Sequence, residues 1–439
     1  MTQNLSLWEL AKLDASAYAR LLEREESDLA EYIAKVQPII DAVRERGDAA
    51  IAEFTERFDG AKIAPGALRV SQEEFDAAEK LISPKVRNAI HFAAGNILKY
   101  HQMQMPKPMA MMEVNPGVLA GERWNAISSV ACYVPRGKGS FPSMCLMSLL
   151  PAVVAGVPHV VLITPPGPDG TIDAATLIVA KLAGVSEVYK CGGAQAVAAV
   201  AYGTETIRKC DKIVGPGSPW VGAAVHSLSR QIAPGPPAGP TESIVLADAS
   251  ANPWKVALDV ANESEHGPDS SVFLVTDDAA LASEVDRLMP AVWDKLSQTR
   301  AEYSRAVLGG KRGGVVLAKS MDQALTFCND YAPEHLQVHS TRPFDYLDRI
   351  THAAEILLGE HAALCLGNFV LGPNAILPTG GAARTASPLS VYDYLKRTSV
   401  THVTEAAFTP HAEAAHALAE YEGFEAHALS VSPLRNEKP

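Results

Sequence analysis

Two hydrophobic patterns divide this chain. Up to about residue 110, apolar positions recur at helical spacing among many charges, which predicts helices over Asp28 to Arg46, Gln72 to Lys80 and Pro84 to Met105. From Val130 short apolar runs alternate with alanine-rich segments. They read as strand His159–Thr164, helix Ala174–Ala183, strand Val185–Lys190, helix Ala194–Ala201, strand Asp211–Val214 and helix Pro219–Arg230. After a proline- and glycine-rich crossing at 233–240, the alternation resumes with strand Ser243–Ala247, a helix opening at Asn252-Pro253, strand Ser271–Thr276 and helix Asp277–Met289. Strands that alternate with helices predict parallel sheets with helices on their faces, so the chain reads as α/β with two similar units in tandem. There is no short-period repeat and no low-complexity tract.

Composition narrows the setting. A chain of 439 residues is long enough for two or more domains, and 47% hydrophobic content suffices for their cores. A net charge of -12 argues against nucleic acid or an anionic membrane as the main partner. The most apolar stretch, Cys145 to Pro166, is broken by Pro151, Gly156, Pro158 and His159 and is a poor membrane span. Met1 to Ala11 lacks a basic segment followed by an apolar run, so no secretory signal is expected. The six cysteines are scattered without a Cys-x-x-Cys pair, and four sit in apolar segments as expected of buried reduced thiols. The expected location is the cytoplasm.

The helix that opens at Asn252-Pro253 has an N-cap followed by proline at its first position, an apolar side at Val256, Ala257 and Val260, and a stop at Gly267-Pro268. Glu263 and His266 leave the same face of its last turn, a spacing that can grip one zinc ion but usually marks solvated surface. In parallel sheets ligands lie outside the carboxyl ends of the strands. Two glycine turns, Gly192-Gly193-Ala194-Gln195 and Gly215-Pro216-Gly217-Ser218, each follow a strand and open a helix. Free amides there suit a phosphate, and tight βα turns need the same glycines. No Gly-x-Gly-x-x-Gly fingerprint occurs.

Several blocks, in order, resemble the histidinol dehydrogenase family over about residues 30 to 430. They are Tyr133-Val-Pro135, Gly193-Ala-Gln-Ala196, Ala201-Tyr-Gly-Thr-Glu205, Asp211-Lys-Ile-Val-Gly-Pro-Gly217, Pro237-Ala-Gly-Pro240, Glu265-His-Gly-Pro-Asp-Ser270, Ala332-Pro-Glu-His-Leu336, Leu377-Pro-Thr379 and Gly423 to His427. The resemblance implies two tandem incomplete Rossmann-like units with a helical N-terminal region and a C-terminal extension, in an intertwined homodimer. It divides the chain into an N-terminal arm (1–26), a zinc-bearing α/β domain (27–132 plus 242–389), an NAD-binding α/β domain (133–241) and a dimer-swapped tail (390–439). It implies zinc and NAD as cofactors and oxidation of a primary alcohol to an aldehyde and on to a carboxylate.

Residue by residue, the resemblance makes Glu334 and His335 the acid–base pair, and His266 and His427 two zinc ligands. Tyr133 and Gln195 match residues that touch NAD. Thr241 replaces a substrate-site serine, and Glu422 matches a substrate-contacting glutamate offered by the partner subunit. The departures are informative. Glu263 stands where the family has Gln, and Asn368 where it has Asp, so a carboxylate and an amide exchange places around one metal. The summed ligand charge is preserved, with Asn368 either a ligand or behind one. Ala375 replaces an active-site histidine, and Ser218 replaces an asparagine in the turn near NAD. These changes predict a small polar alcohol, a diol or acid-bearing one, in place of L-histidinol. The alternatives are L-histidinol itself, as in histidine synthesis, and a non-catalytic binding descendant.

Overall fold

The computed structural model describes residues 4–24, 29–136 and 139–437. The expected helix start at Asp28 and the boundary at 26/27 fall outside them. The chain separates into two compact units, one of residues 1–104 and 127–394 and one of 105–126 and 395–439.

The first unit holds two parallel sheets. The smaller has the order Val188–Lys190, His159–Thr164, Ser129–Tyr133, Lys212–Val214, Ala233–Pro234. Counted along the chain that is 3-2-1-4-5, the order of half a Rossmann sheet. The larger repeats it with Gly313–Leu317, Ser271–Thr276, Glu242–Ala247, His335–His339 and Glu355–Leu358, and adds Leu7–Glu9 at the edge beside Gly313–Leu317. Within the N-terminal region read as helical, Leu7–Glu9 is a strand and Ala15–Leu22 a helix.

Both faces of the larger sheet are covered, which is why its strands are apolar without alternation. Ile244, Leu246, Phe273 and Val275 pack into a core with Phe327 and Tyr331. Val245, Ala247, Val272 and Leu274 pack on the other face with Val256, Val260, Val285 and Met289. A third core, around Ala131, Val161, Tyr189 and Ala196–Ala201, joins the smaller sheet to the helices Leu29–Arg46 and Asp48–Asp59. Five cysteines are buried and Cys365 is exposed, one more buried thiol than the apolar segments predict.

The second unit is an antiparallel sheet in the order Leu395–Val403, Val118–Ala126, Met109–Asn115, with the helices Glu405–Tyr421 and Glu425–Ser430. Its hairpin turns at Pro116-Gly117, where Gly117 has φ +80°, a conformation glycine adopts without strain. Among the described residues no helix is long and apolar enough to cross a membrane.

Candidate active site

A polar cluster forms at the amino ends of two adjacent central strands, Glu242–Ala247 and His335–His339, and at the C-terminal end of the helix Pro253–Ser264. This is the end of the larger sheet opposite to the one where ligands are generally expected. The glycine turns do lie at the carboxyl ends, but of the smaller sheet.

The helix is built as its sequence suggests. Asn252 Oδ1 accepts from the amides of Trp254 and Lys255 at 3.0 and 3.3 Å, and Val256, Ala257 and Val260 are buried. Burying that face turns Glu263 inward, fully buried, while His266 stays exposed just past the helix end. Glu263 Oε1 accepts from Asn368 Nδ2 at 2.6 Å and from Asn262 Nδ2 at 2.7 Å. Asn368 thus sits behind the carboxylate as a hydrogen-bond donor. Glu263 Oε2 makes no hydrogen bond, although His266 Nδ1 lies 3.1 Å from it. Thr241 Oγ1 is also 3.1 Å from that nitrogen.

The second half comes from the turn after the helix Met321–Tyr331. Ala332 takes φ 53°, the one positive φ outside glycine among the described residues, and Pro333 follows. Such a conformation is unfavourable for alanine and persists only where the surroundings enforce it. It delivers Glu334 and His335 to the start of the strand, both buried. Glu334 Oε2 accepts from the Glu242 amide at 3.0 Å, and Glu334 Oε1 lies 3.7 Å from His335 Nε2. His335 Nδ1 pairs with Glu355 Oε2 at 2.8 Å, because the two residues are register partners at the start of adjacent parallel strands. Glu355 was not legible as a site residue. Its only signal is a carboxylate heading the apolar run Glu-Ile-Leu-Leu.

Burial pushes Glu334 up to about 8, although the His335 charge and the Glu242 amide favour its ionised form. Burial opposes the charge on His335, but Glu334, Glu355 and Glu263 outweigh it and push the imidazole up to about 10. At Glu263 burial is outweighed by His266 and His335, and its carboxyl is lowered to about 2. Close neighbours desolvate one side of the His266 ring and oppose its charge, and the Glu263 carboxylate outweighs them to raise it.

The cluster fits a divalent cation on two grounds. Glu263 Oε2 is a buried acceptor without a donor. Two zinc ligands at about 2.0–2.1 Å in tetrahedral arrangement stand roughly 3.3 Å apart, close to the 3.1 Å between Glu263 Oε2 and His266 Nδ1. Among the described residues no group of three His, Cys, Asp or Glu converges as a complete metal site. Glu422 ends the helix Glu405–Tyr421 and His427 lies on the helix Glu425–Ser430, both exposed and both in the second unit.

At the smaller sheet, the Gly193 amide donates to the Tyr133 hydroxyl at 3.2 Å, and Gly193 has φ +61°. Tyr133 and Gln195 are buried. A Cβ at Gly193 would lie 2.8 Å from Gln195 Oε1, and one at Gly215 would lie 2.0 Å from the Tyr133 carbonyl. The two glycine turns therefore pack against the central strand and against Gln195. Ser218 is the N-cap of the helix Pro219–Ser227, without a side-chain capping bond. Ala375 is buried beside Asn374, which donates to the Met147 carbonyl at 2.7 Å.

The family match extends over nearly the full chain. The family model for histidinol dehydrogenase matches residues 22–434. A "Histidinol dehydrogenase homolog" of Cereibacter sphaeroides is 53% identical, covering 97% of each chain. The "Histidinol dehydrogenase" of Synechocystis is 44% identical, covering 98% of each. The crystal structure of histidinol dehydrogenase from Elizabethkingia anophelis superposes with TM-score 0.92 at 32% identity and 98% coverage of both chains. This chain belongs to the histidinol dehydrogenase family. That is a family of NAD-dependent oxidoreductases acting on CH–OH donors.

Proposed function

We propose that this chain oxidises a primary alcohol with NAD by the histidinol dehydrogenase reaction, with His335 as the base. The observation that carries the reading is the buried Glu355–His335–Glu334 line. Glu355 holds Nδ1 at 2.8 Å, which leaves Nε2 to face the site and Glu334. His335 accepts the alcohol proton at Nε2 in its neutral form, which a cation held by Glu263 and His266 would favour by offsetting the carboxylates that push the imidazole up to about 10. If oxidation continues to the acid, Glu334 in its ionised form, which the Glu242 amide and a nearby cation would favour against the burial that pushes it up to about 8, takes a proton from water for attack on the aldehyde. Glu263 and His266 would hold zinc, with His427 and Asn368 completing or supporting the set. When bound, zinc supplies a Lewis acid that orients the substrate, and NAD accepts hydride. Tyr133, Gln195 and Ser218 would border NAD, and Thr241 and Glu422 the substrate. Glu422 and His427 are proposed to serve a partner subunit in a homodimer. No cysteine is needed as a nucleophile.

The comparisons favour L-histidinol over the unrelated small alcohol that the departures suggested, since relatives named histidinol dehydrogenase match over the whole length. One observation favours a second reading. By the resemblance, Ala375 stands where the family has a histidine and the Glu263–Asn368 pair is exchanged, so the surroundings of an imidazole substrate would be changed. Sites built for polar partners reject mismatched ones strongly, because buried polar groups go unpaired. A small polar alcohol other than L-histidinol is that second reading. NADH formation from L-histidinol and from a panel of polar primary alcohols, by the zinc-loaded protein, separates the two.

A further inference from the structure

Arg24 follows the helix Ala15–Leu22 and turns inward, its side chain 14% exposed. Nε donates to Glu242 Oε1 at 2.7 Å, Nη1 to the Leu22 carbonyl and Nη2 to the Tyr331 carbonyl. The guanidinium carbon lies 3.4 Å from the centroid of the Tyr331 ring. Both contacts lead directly to the Glu334–His335 pair. The backbone amide of Glu242 is the donor to Glu334 Oε2 at 3.0 Å. The Tyr331 carbonyl belongs to the peptide that enters Ala332, the strained residue whose left-handed turn delivers Glu334 and His335. Glu242 Oε1 also accepts from the Gly380 amide at 2.9 Å, so the same carboxylate pins the loop after Leu377-Pro-Thr379. A second tie from the same helix, Tyr18 to Asp330 Oδ2 at 2.7 Å, holds the end of the preceding helix.

We propose that Arg24 is a positioning residue for the Glu334–His335 pair, fixing the Glu242 amide on one side and the Tyr331–Ala332 turn on the other. The proposal rests on the alcohol-oxidation reading above. A planar guanidinium can stack on the ring, pair with the carboxylate and reach the carbonyl at once, whereas an ammonium group satisfies only one of these well. Without Arg24, the Glu242 carboxylate, whose Oε2 already makes no hydrogen bond, is left as a buried charge next to the pair.

The test compares wild type, Arg24→Met, Arg24→Lys and Arg20→Met in NADH formation, with L-histidinol or whichever alcohol the wild type oxidises. Arg20 donates to Ser16 on the helix exterior and reports on disturbance of the arm alone. Arg24→Met should lower kcat about 10- to 100-fold, the range for groups that orient functional side chains, with the KM for NAD little changed. Low millimolar guanidinium should restore part of kcat. Arg24→Lys should lose kcat to an intermediate extent, and Arg20→Met should behave as wild type. An active wild type with unchanged kcat in folded Arg24→Met overturns the positioning role alone. If Arg24→Met does not fold, unchanged kcat in Arg24→Lys does so. A loss that guanidinium leaves untouched and Arg20→Met reproduces also overturns it. Absence of turnover by the wild type with every alcohol overturns the oxidation reading and this proposal with it.

Discussion

His335 Nδ1 and Glu355 Oε2 are 2.8 Å apart because their strands start side by side in parallel register. That bond spends one ring nitrogen and fixes where the other points. Glu355→Gln should therefore lower kcat about 10- to 100-fold with little change in KM. His335→Asn should cost about 100- to 10,000-fold, the usual range for a general base. Equal kcat in Glu355→Gln and wild type would remove the orienting role.

Glu263 and Asn368 form a carboxylate–amide pair 2.6 Å apart, so they should be energetically coupled through one metal. Purified protein is expected to hold about one zinc per subunit. Glu263→Gln leaves two amides and no anion at these positions and should weaken zinc binding in a chelator competition. Adding Asn368→Asp restores an amide–carboxylate pair with its polarity reversed and should recover much of the affinity. Asn368→Asp alone sets two carboxylates against each other and should destabilise the zinc-free protein. A double variant no better than Glu263→Gln would show that the two positions do not share an ion.

Asp59 gives a prediction about stability. It ends the helix Asp48–Asp59, its Oδ2 is buried without a hydrogen bond, and burial pushes its carboxyl up to about 6 despite Arg136. The unfolded carboxyl titrates near 3.9. Between roughly pH 4 and 6 the folded state binds a proton that the unfolded state does not, so this residue makes stability fall as pH rises through that window. Its cost is fully present at neutral pH. Asp59 is partly exposed, and solvent screening reduces the effect to about 1 kcal/mol. Asp59→Asn should raise the Tm at pH 7 and change it little at pH 4. An equal gain at both pH values would exclude ionisation as the cause.

The parallel units were legible because strands covered on both faces read as unbroken apolar runs, and His159–Thr164 and Ser271–Thr276 begin and end where the pattern placed them. The edge strand Leu7–Glu9 is three residues long and carries Glu9, too little pattern to separate from a helical arm. The hairpin at 109–126 was hidden because its first strand is exposed and methionine-rich and neither strand alternates cleanly, although Pro116-Gly117 marks its turn. At the site, Glu263 and His266 could be paired by helical spacing, and Glu334 and His335 are adjacent. Glu355 and Arg24 could not be found that way. Their roles depend on strand register and on a contact 307 residues away along the chain.

The most direct test of the account is the rate of NADH formation by zinc-loaded wild type and His335→Asn with L-histidinol and a panel of small polar primary alcohols. At least one alcohol, L-histidinol first, should be turned over with kcat/KM above about 10⁴ M⁻¹s⁻¹, the ordinary enzyme range. His335→Asn should lose that rate by about 100-fold or more. No NADH from any alcohol, or equal rates in the two proteins, would contradict the account.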